Sequence, residues 1–122
     1  MEMGLISSEF DQCIKCGLCL ANCPVNHELF LEKYTPRGKI QLARRYGRGD
    51  VAISDHYRDI FNQCLLCGAC TMTCPSGVDL TRVFTHMRKE ITEKKGGFPS
   101  MKPAIDSLMI HHNISSEDNE ER

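Results

Sequence analysis

The sequence predicts an all-α fold, and three observations carry that reading. Apolar residues recur at three- and four-residue steps in several segments. Nowhere does an apolar residue alternate with a polar one in the manner of a strand. The residues between the periodic segments are those that start and stop helices.

The elements follow in chain order. Met1 to Gln12 is a short lead-in whose Leu5, Ile6 and Phe10 are placed to pack beside the first of two cysteine blocks. Cys13 to Pro24 reads C-I-K-C-G-L-C-L-A-N-C-P, and Cys64 to Pro75 reads C-L-L-C-G-A-C-T-M-T-C-P. All eight cysteines of the 122-residue chain fall in these blocks, and an offset of 51 superimposes them with their glycine and final proline. Between the blocks, Leu29, Phe30 and Tyr34 sit at helical spacing. Thr35-Pro36 then opens a helix, threonine as cap and proline in the first turn. It runs through Ile40, Leu42, Ala43 and Tyr46 and ends near Gly47 or Gly49. Asp50 to Ser54 is a connector, and Asp55 to Gln63 a shorter helix with Tyr57, Ile60 and Phe61 inward. After the second block, Asp79 caps a helix striped by Leu80, Val83, Phe84, Met87 and Ile91, which Gly96-Gly97 stops. Met101, Ile105, Leu108 and Met109 form the apolar side of a last short segment, expected to pack on the helical core; a partner's groove is the alternative. The expected organisation is one helical domain over 1–97, a core-packing or partner-docking extension over 98–114, and a disordered polar tail over 115–122.

Composition excludes several classes. Fifteen Lys and Arg stand against sixteen Asp and Glu, a balance that recruits no polyanion, so no nucleic-acid partner is expected. No apolar run reaches the roughly 20 residues a membrane span needs, and Met1 to Phe10 lacks the basic head of a secretory signal. The expected location is cytoplasmic, with thiols reduced and free for metal, and with membrane contact only through a partner. Aromatics are sparse and tryptophan is absent, so an internal metal scaffold would help so small a core.

The cysteine spacing states which scaffold. A Cys-x2-Cys-x2-Cys run brings three thiolates onto one iron–sulfur cube, while the fourth cysteine, turned away ahead of its proline, cannot easily close the same cube. In proteins with two such runs the fourth cysteine of each serves the other cluster. Applied here, Cys13, Cys16, Cys19 and Cys74 hold one [4Fe–4S] cluster, and Cys64, Cys67, Cys70 and Cys23 hold the second. Gly17 and Gly68 suit close approach of backbone to sulfide. Ile14, Leu18, Leu65 and Leu66 are expected to exclude water. Structural zinc also takes four cysteines, but from separated Cys-x2-Cys pairs, and two complete triples followed by Cys-Pro argue against it. A disulfide framework needs an oxidising compartment that nothing here supports.

No catalytic residue is assigned. The chain has no Gly-x-Gly-x-x-Gly and no phosphate loop, and no cysteine is left over as a nucleophile. His27, His56, His86, His111 and His112 are scattered, which reads as surface or packing histidine, since ligands cluster. Arg37, Lys39, Arg44, Arg45 and Arg48 make the middle helix basic. That pattern reads as a solvated face; the functional alternatives are cations that raise a cluster's potential, or docking to an acidic surface.

At both Cys-Pro blocks, Pro36-Arg37-Gly38-Lys39-Ile40 and Cys74-Pro75-Ser76-Gly77-Val78, the chain resembles the alpha-helical ferredoxin family over roughly residues 8 to 95. Similar modules belong to iron–sulfur subunits of heterodisulfide reductase, anaerobic glycerol-3-phosphate dehydrogenase and glycolate oxidase. The resemblance implies two [4Fe–4S] clusters in an electron-transfer subunit that is not itself catalytic. It would pass single electrons between a flavoprotein and a catalytic oxidoreductase subunit. The absence of a Cys-Cys pair here favours the heterodisulfide reductase arrangement, in which a Cys-Cys-Gly domain sits on a separate polypeptide. A cluster-based sensor and a free ferredoxin are the other readings.

Overall fold

Thr35 shows how the local chemistry builds the fold. Its hydroxyl accepts from the Gly38 N–H at 3.0 Å and Pro36 fills the first turn, so a helix starts where the sequence places it. Ser54 and Asp79 start two more, accepting from the Tyr57 and Arg82 amides. The computed structural model describes residues 4–116, apart from the side chain of Leu5. Every regular element among them is helical: α1 Gly4–Gln12, α2 Pro24–Leu29, α3 Pro36–Gly47, α4 Asp55–Asn62, α5 Ala69–Thr73, α6 Leu80–Lys95 and α7 Lys102–His111, with 3-10 turns at Leu18–Leu20, Glu32–Tyr34 and Pro99–Met101.

The architecture is a repeated unit of helix, cysteine block and longer helix. In the first half α1 leads into the block and α3 follows; in the second α4 leads in and α6 follows. α3 packs against α6, α1 against both, and α4 against α6. The Leu18–Leu20 turn packs against α5, the element at the same place in the other block. The core is Ile6 and Phe10 of α1, Ile40 and Ala43 of α3, Tyr57, Ile60 and Phe61 of α4, and the α6 stripe Leu80, Val83, Phe84, Met87 and Ile91. Tyr57, Phe61 and Phe84 meet at ring separations of 5.0 and 6.2 Å, orientations that favour aromatic contact.

Four expectations need correction. The lead-in is not merely a packed strand of chain but a helix, whose Ile6 and Phe10, one turn apart, fall on its buried side. Leu29 and Phe30 do not face the core: α2 ends at Phe30 in a left-handed conformation, leaving both side chains exposed. The last segment is a helix, but its apolar residues do not pack on the core. Met101, Ile105, Leu108 and Met109 are 45% to 76% exposed, and the buried side of α7 is Ser107. Ile14, Leu18 and Leu65 are likewise exposed, so they rim the cysteine blocks without sealing them. Of the polar tail, Ser115 and Ser116 are placed by bonds to Asn113 and Ser107, and 117–122 lie outside the described residues, as does the Leu5 side chain. No helix among the described residues is long and apolar enough to cross a membrane.

Candidate metal centres

The two cysteine blocks have one backbone. Lys15 and Gly17 in the first, and Leu66 and Gly68 in the second, all hold positive φ, at 61°, 79°, 53° and 78°. Left-handed conformations are strained for lysine and leucine and persist where the surroundings over-determine them. Each loop thereby curls around a hollow, turning its three leading cysteines inward.

Each hollow is completed from the other half of the chain. The first, of about 350 Å³ including its open mouth, is lined by Cys13, Cys16, Cys19 and Cys74. The second, of about 380 Å³, is lined by Cys23, Cys64, Cys67 and Cys70. All eight cysteines are free thiols. None of the five histidines lines either hollow.

The donor set suits a cluster better than an ion. Four sulfurs around one zinc must each approach to about 2.3 Å. Among the described residues no group of three or more cysteine, histidine or carboxylate side chains converges that closely. Donors spread around a hollow are what a cube with four iron corners requires. Burial pushes the Cys19 and Cys70 thiols up to about 11, so anionic sulfur is unfavourable there until a cation replaces the proton. Amides wait for the charge: Val78 N–H donates to Cys74 Sγ and Leu66 N–H to Cys64 Sγ, both at 3.4 Å. The Gln41 side-chain amide approaches Cys13 Sγ at 3.8 Å, and the Arg37 N–H is within reach of Cys19.

The first turns of α3 and α6 run between the hollows. Arg37 and Ile40 face the first, Pro36 and Lys39 the second; Leu80 faces the first, Thr81 and Phe84 the second. Gly38 lets α3 sit there, because a methyl on it would stand 1.9 Å from the Glu32 carbonyl oxygen. Two cations of the supposed solvated face are therefore site residues, one for each hollow. Arg37 remains one-third exposed and grips both Glu32 carboxylate oxygens, at 2.7 and 3.0 Å. That contact, with the added Coulomb attraction, holds the Glu32 carboxyl below its ordinary range. Lys39 is 1% exposed; its ammonium donates to the Tyr34 carbonyl and lies 5.9 Å from the Phe84 ring centroid. Burial lowers its pKa, opposed by Cys64, Cys23 and Cys70. Arg45 and Arg48 stay in solvent and Arg44 turns partly inward to Gln41.

Glu32, Gln41 and Arg88 are site residues that reading the sequence missed. Arg88 donates to the carbonyls of Phe61, Asn62 and Cys64, fixing the chain as it enters the second block. It stands four residues after Phe84 on the buried stripe, and that was the available signal.

Comparison with known proteins agrees with this geometry. A 4Fe-4S dicluster domain matches residues 9–78. The chain is 32% identical to the "Probable glycolate oxidase iron-sulfur subunit" of Bacillus subtilis strain 168, an alignment covering 92% of this chain and 28% of that one. It is 34% identical to the glycolate oxidase iron-sulfur subunit of Escherichia coli K12 over 68% of this chain and 20% of the relative. One subunit of the dihydromethanophenazine:CoB–CoM heterodisulfide reductase of Methanosarcina barkeri is 25% identical over 93% of this chain and 32% of its own. The chain thus spans less than a third of the length of each of these relatives.

Proposed function

The chain belongs to the 4Fe-4S dicluster domain family, and from that premise we propose that it is an electron-transfer iron–sulfur subunit of a larger oxidoreductase. It passes single electrons through its two [4Fe–4S] clusters between a flavin-containing partner and a catalytic subunit, which in this reading carries a Cys-Cys-Gly domain. The ligands are Cys13, Cys16, Cys19 and Cys74 for the first cluster and Cys64, Cys67, Cys70 and Cys23 for the second. The supporting observation is the lining of the hollows, three cysteines from one block and the fourth from the other.

The bound clusters supply reversible one-electron chemistry, and the protein supplies everything else. Eight sulfurs anchor the clusters; amides of Leu66 and Val78 donate to two of those sulfurs and disperse charge. The crossed cysteines lock the halves at one separation, and the shared turns of α3 and α6 keep bulk water from between them. The names of the relatives support a hetero-oligomer, glycolate oxidase and heterodisulfide reductase being the assemblies they name. Exposed Ile14 and Leu65 at the two mouths suit docking of such partners. A cytoplasmic location, with any membrane contact made through a partner, follows from the same reading.

Paired substitutions test the crossing. Anaerobically purified wild-type protein should hold about eight iron ions per chain. Cys13→Ala with Cys74→Ala disables one cluster and leaves about four iron ions in the other. Cys13→Ala with Cys23→Ala disables both. The reverse pattern would show that each block closes its own cluster.

A further inference from the structure

We propose that Lys39 makes the second cluster, beside Cys23, Cys64, Cys67 and Cys70, the more readily reduced of the two, so that an electron entering the chain comes to rest there. The inference rests on the ligand sets proposed above and orders the relay those sets define.

The argument is one of charge in two different dielectrics. Reduction adds one electron, taking a cluster with its four thiolates from about −2 to about −3, and no bond forms or breaks. A fixed cation beside the site favours the reduced state, and more strongly where water is excluded. Lys39 meets that condition. It lines the second hollow, is 1% exposed, and its ammonium is held by a neutral carbonyl. Among the described residues no carboxylate pairs with it, so its whole charge is turned to the sulfurs. Arg88 adds a second guanidinium on the same side, bound only to carbonyl oxygens of the incoming loop.

The first hollow has cations too, but they are spent or screened. Arg37 gives its charge to Glu32 in a two-bonded pair that is partly in solvent. Lys15 is exposed, where water and salt screen it. The other determinants of potential nearly cancel. Each hollow has one backbone amide on a cysteine sulfur at 3.4 Å, and one exposed leading residue at its mouth, Ile14 at 67% and Leu65 at 68%. Gln41 favours the first hollow, but as a neutral dipole at 3.8 Å.

The test is an anaerobic titration with dithionite as electron donor, followed by electron paramagnetic resonance, on protein first shown to retain its full iron. Wild type should reduce in two separate steps. Lys39→Met should lower the equilibrium constant of the upper step at least tenfold, a shift of about 59 mV for one electron, and leave the lower step in place. Glu32→Gln, which frees Arg37, should instead raise the lower step and narrow the gap. A measurement on the unmutated protein covers the case in which Lys39→Met does not fold. After one electron per chain, the hyperfine-shifted β-protons of Cys23, Cys64, Cys67 and Cys70 should move more than those of Cys13, Cys16, Cys19 and Cys74. An unmoved upper step in iron-replete Lys39→Met, or the first electron appearing on the Cys13 set, overturns the ordering alone. Wild type with fewer than two clusters overturns the relay, and the ordering with it.

Discussion

The two halves of the molecule share a loop and differ in what joins it to the next helix. Lys15 and Gly17 repeat in Leu66 and Gly68 down to the sign of φ, and the hollows they shape differ in size by less than a tenth. Behind the first block the chain runs from 24 to 35 before α3 begins; behind the second it runs only from 75 to 79 before α6. That longer connector supplies Glu32, which occupies Arg37, and Tyr34, whose carbonyl holds Lys39. The duplicated part therefore fixes the shape of two equal sites, and the unduplicated part makes them electrically unequal.

The strongest way to break the comparison is to remove what the halves share. Gly38→Ala should do so, because its methyl would meet backbone, with the Glu32 carbonyl oxygen at 1.9 Å and the Lys33 Cα at 3.2 Å. No side-chain rotation relieves that contact. The start of α3 must move, and with it both Arg37 and Lys39. We expect a loss of about 3 kcal/mol or more and failure to assemble either cluster. Gly97→Ala, where an added methyl meets nothing within 4 Å, is the control and should load iron normally. Chemical denaturation and iron analysis read both. Normal loading of Gly38→Ala would show that α3 is not the shared wall.

A change at Arg88 should separate the halves. Its guanidinium satisfies the carbonyls of Phe61, Asn62 and Cys64, and nothing equivalent among the described residues holds the chain entering the first block. Arg88→Met strands those acceptors, at a cost of about 2 kcal/mol. The cluster beside Cys64 should be stripped by an iron chelator several-fold faster than in wild type, with the first cluster little affected. Equal acceleration at both would mean that Arg88 supports the fold generally.

These sites were legible in the sequence to different depths. The cysteines are local and chemically single-minded, so spacing alone placed all eight. α3, α4 and α6 were legible because each combines an apolar stripe with a cap or a stop, as in Thr35 to Gly47 and Asp79 to Gly96. α1 was hidden by its shortness, yet the offset of 51 extends to it. Ile6 and Phe10 correspond to Tyr57 and Phe61 of α4, and all four are buried. α7 misled because hydrophobicity says that a face is apolar, not what covers it. Lys39 was misread for the opposite reason: lysine in a basic run signals solvent, and only tertiary packing of Phe84 and Tyr34 against it shows otherwise.

The finest test concerns the pair that distinguishes the first half. Glu32 and Arg37 are both partly in water, so their bond should stabilise the fold by less than about 1 kcal/mol despite its two short contacts. Its pH dependence has a definite sign. Because the Arg37 contact lowers the Glu32 pKa, the contribution is fully present above the ordinary carboxylate value of 4.5 and is lost as pH falls through the lower folded value. Wild type should therefore exceed Glu32→Gln in denaturant midpoint at neutral pH, and the gap should close on acidification. Taking the difference between the two proteins removes acid effects on the clusters common to both. Raising salt at neutral pH should narrow the same gap, since exposed charges are screened beyond about 8 Å at physiological ionic strength. The Lys39→Met deficit, set in a dry site, should barely respond to salt. Equal salt sensitivity at the two positions would mean that their difference in burial does not govern how strongly each cation acts on its hollow.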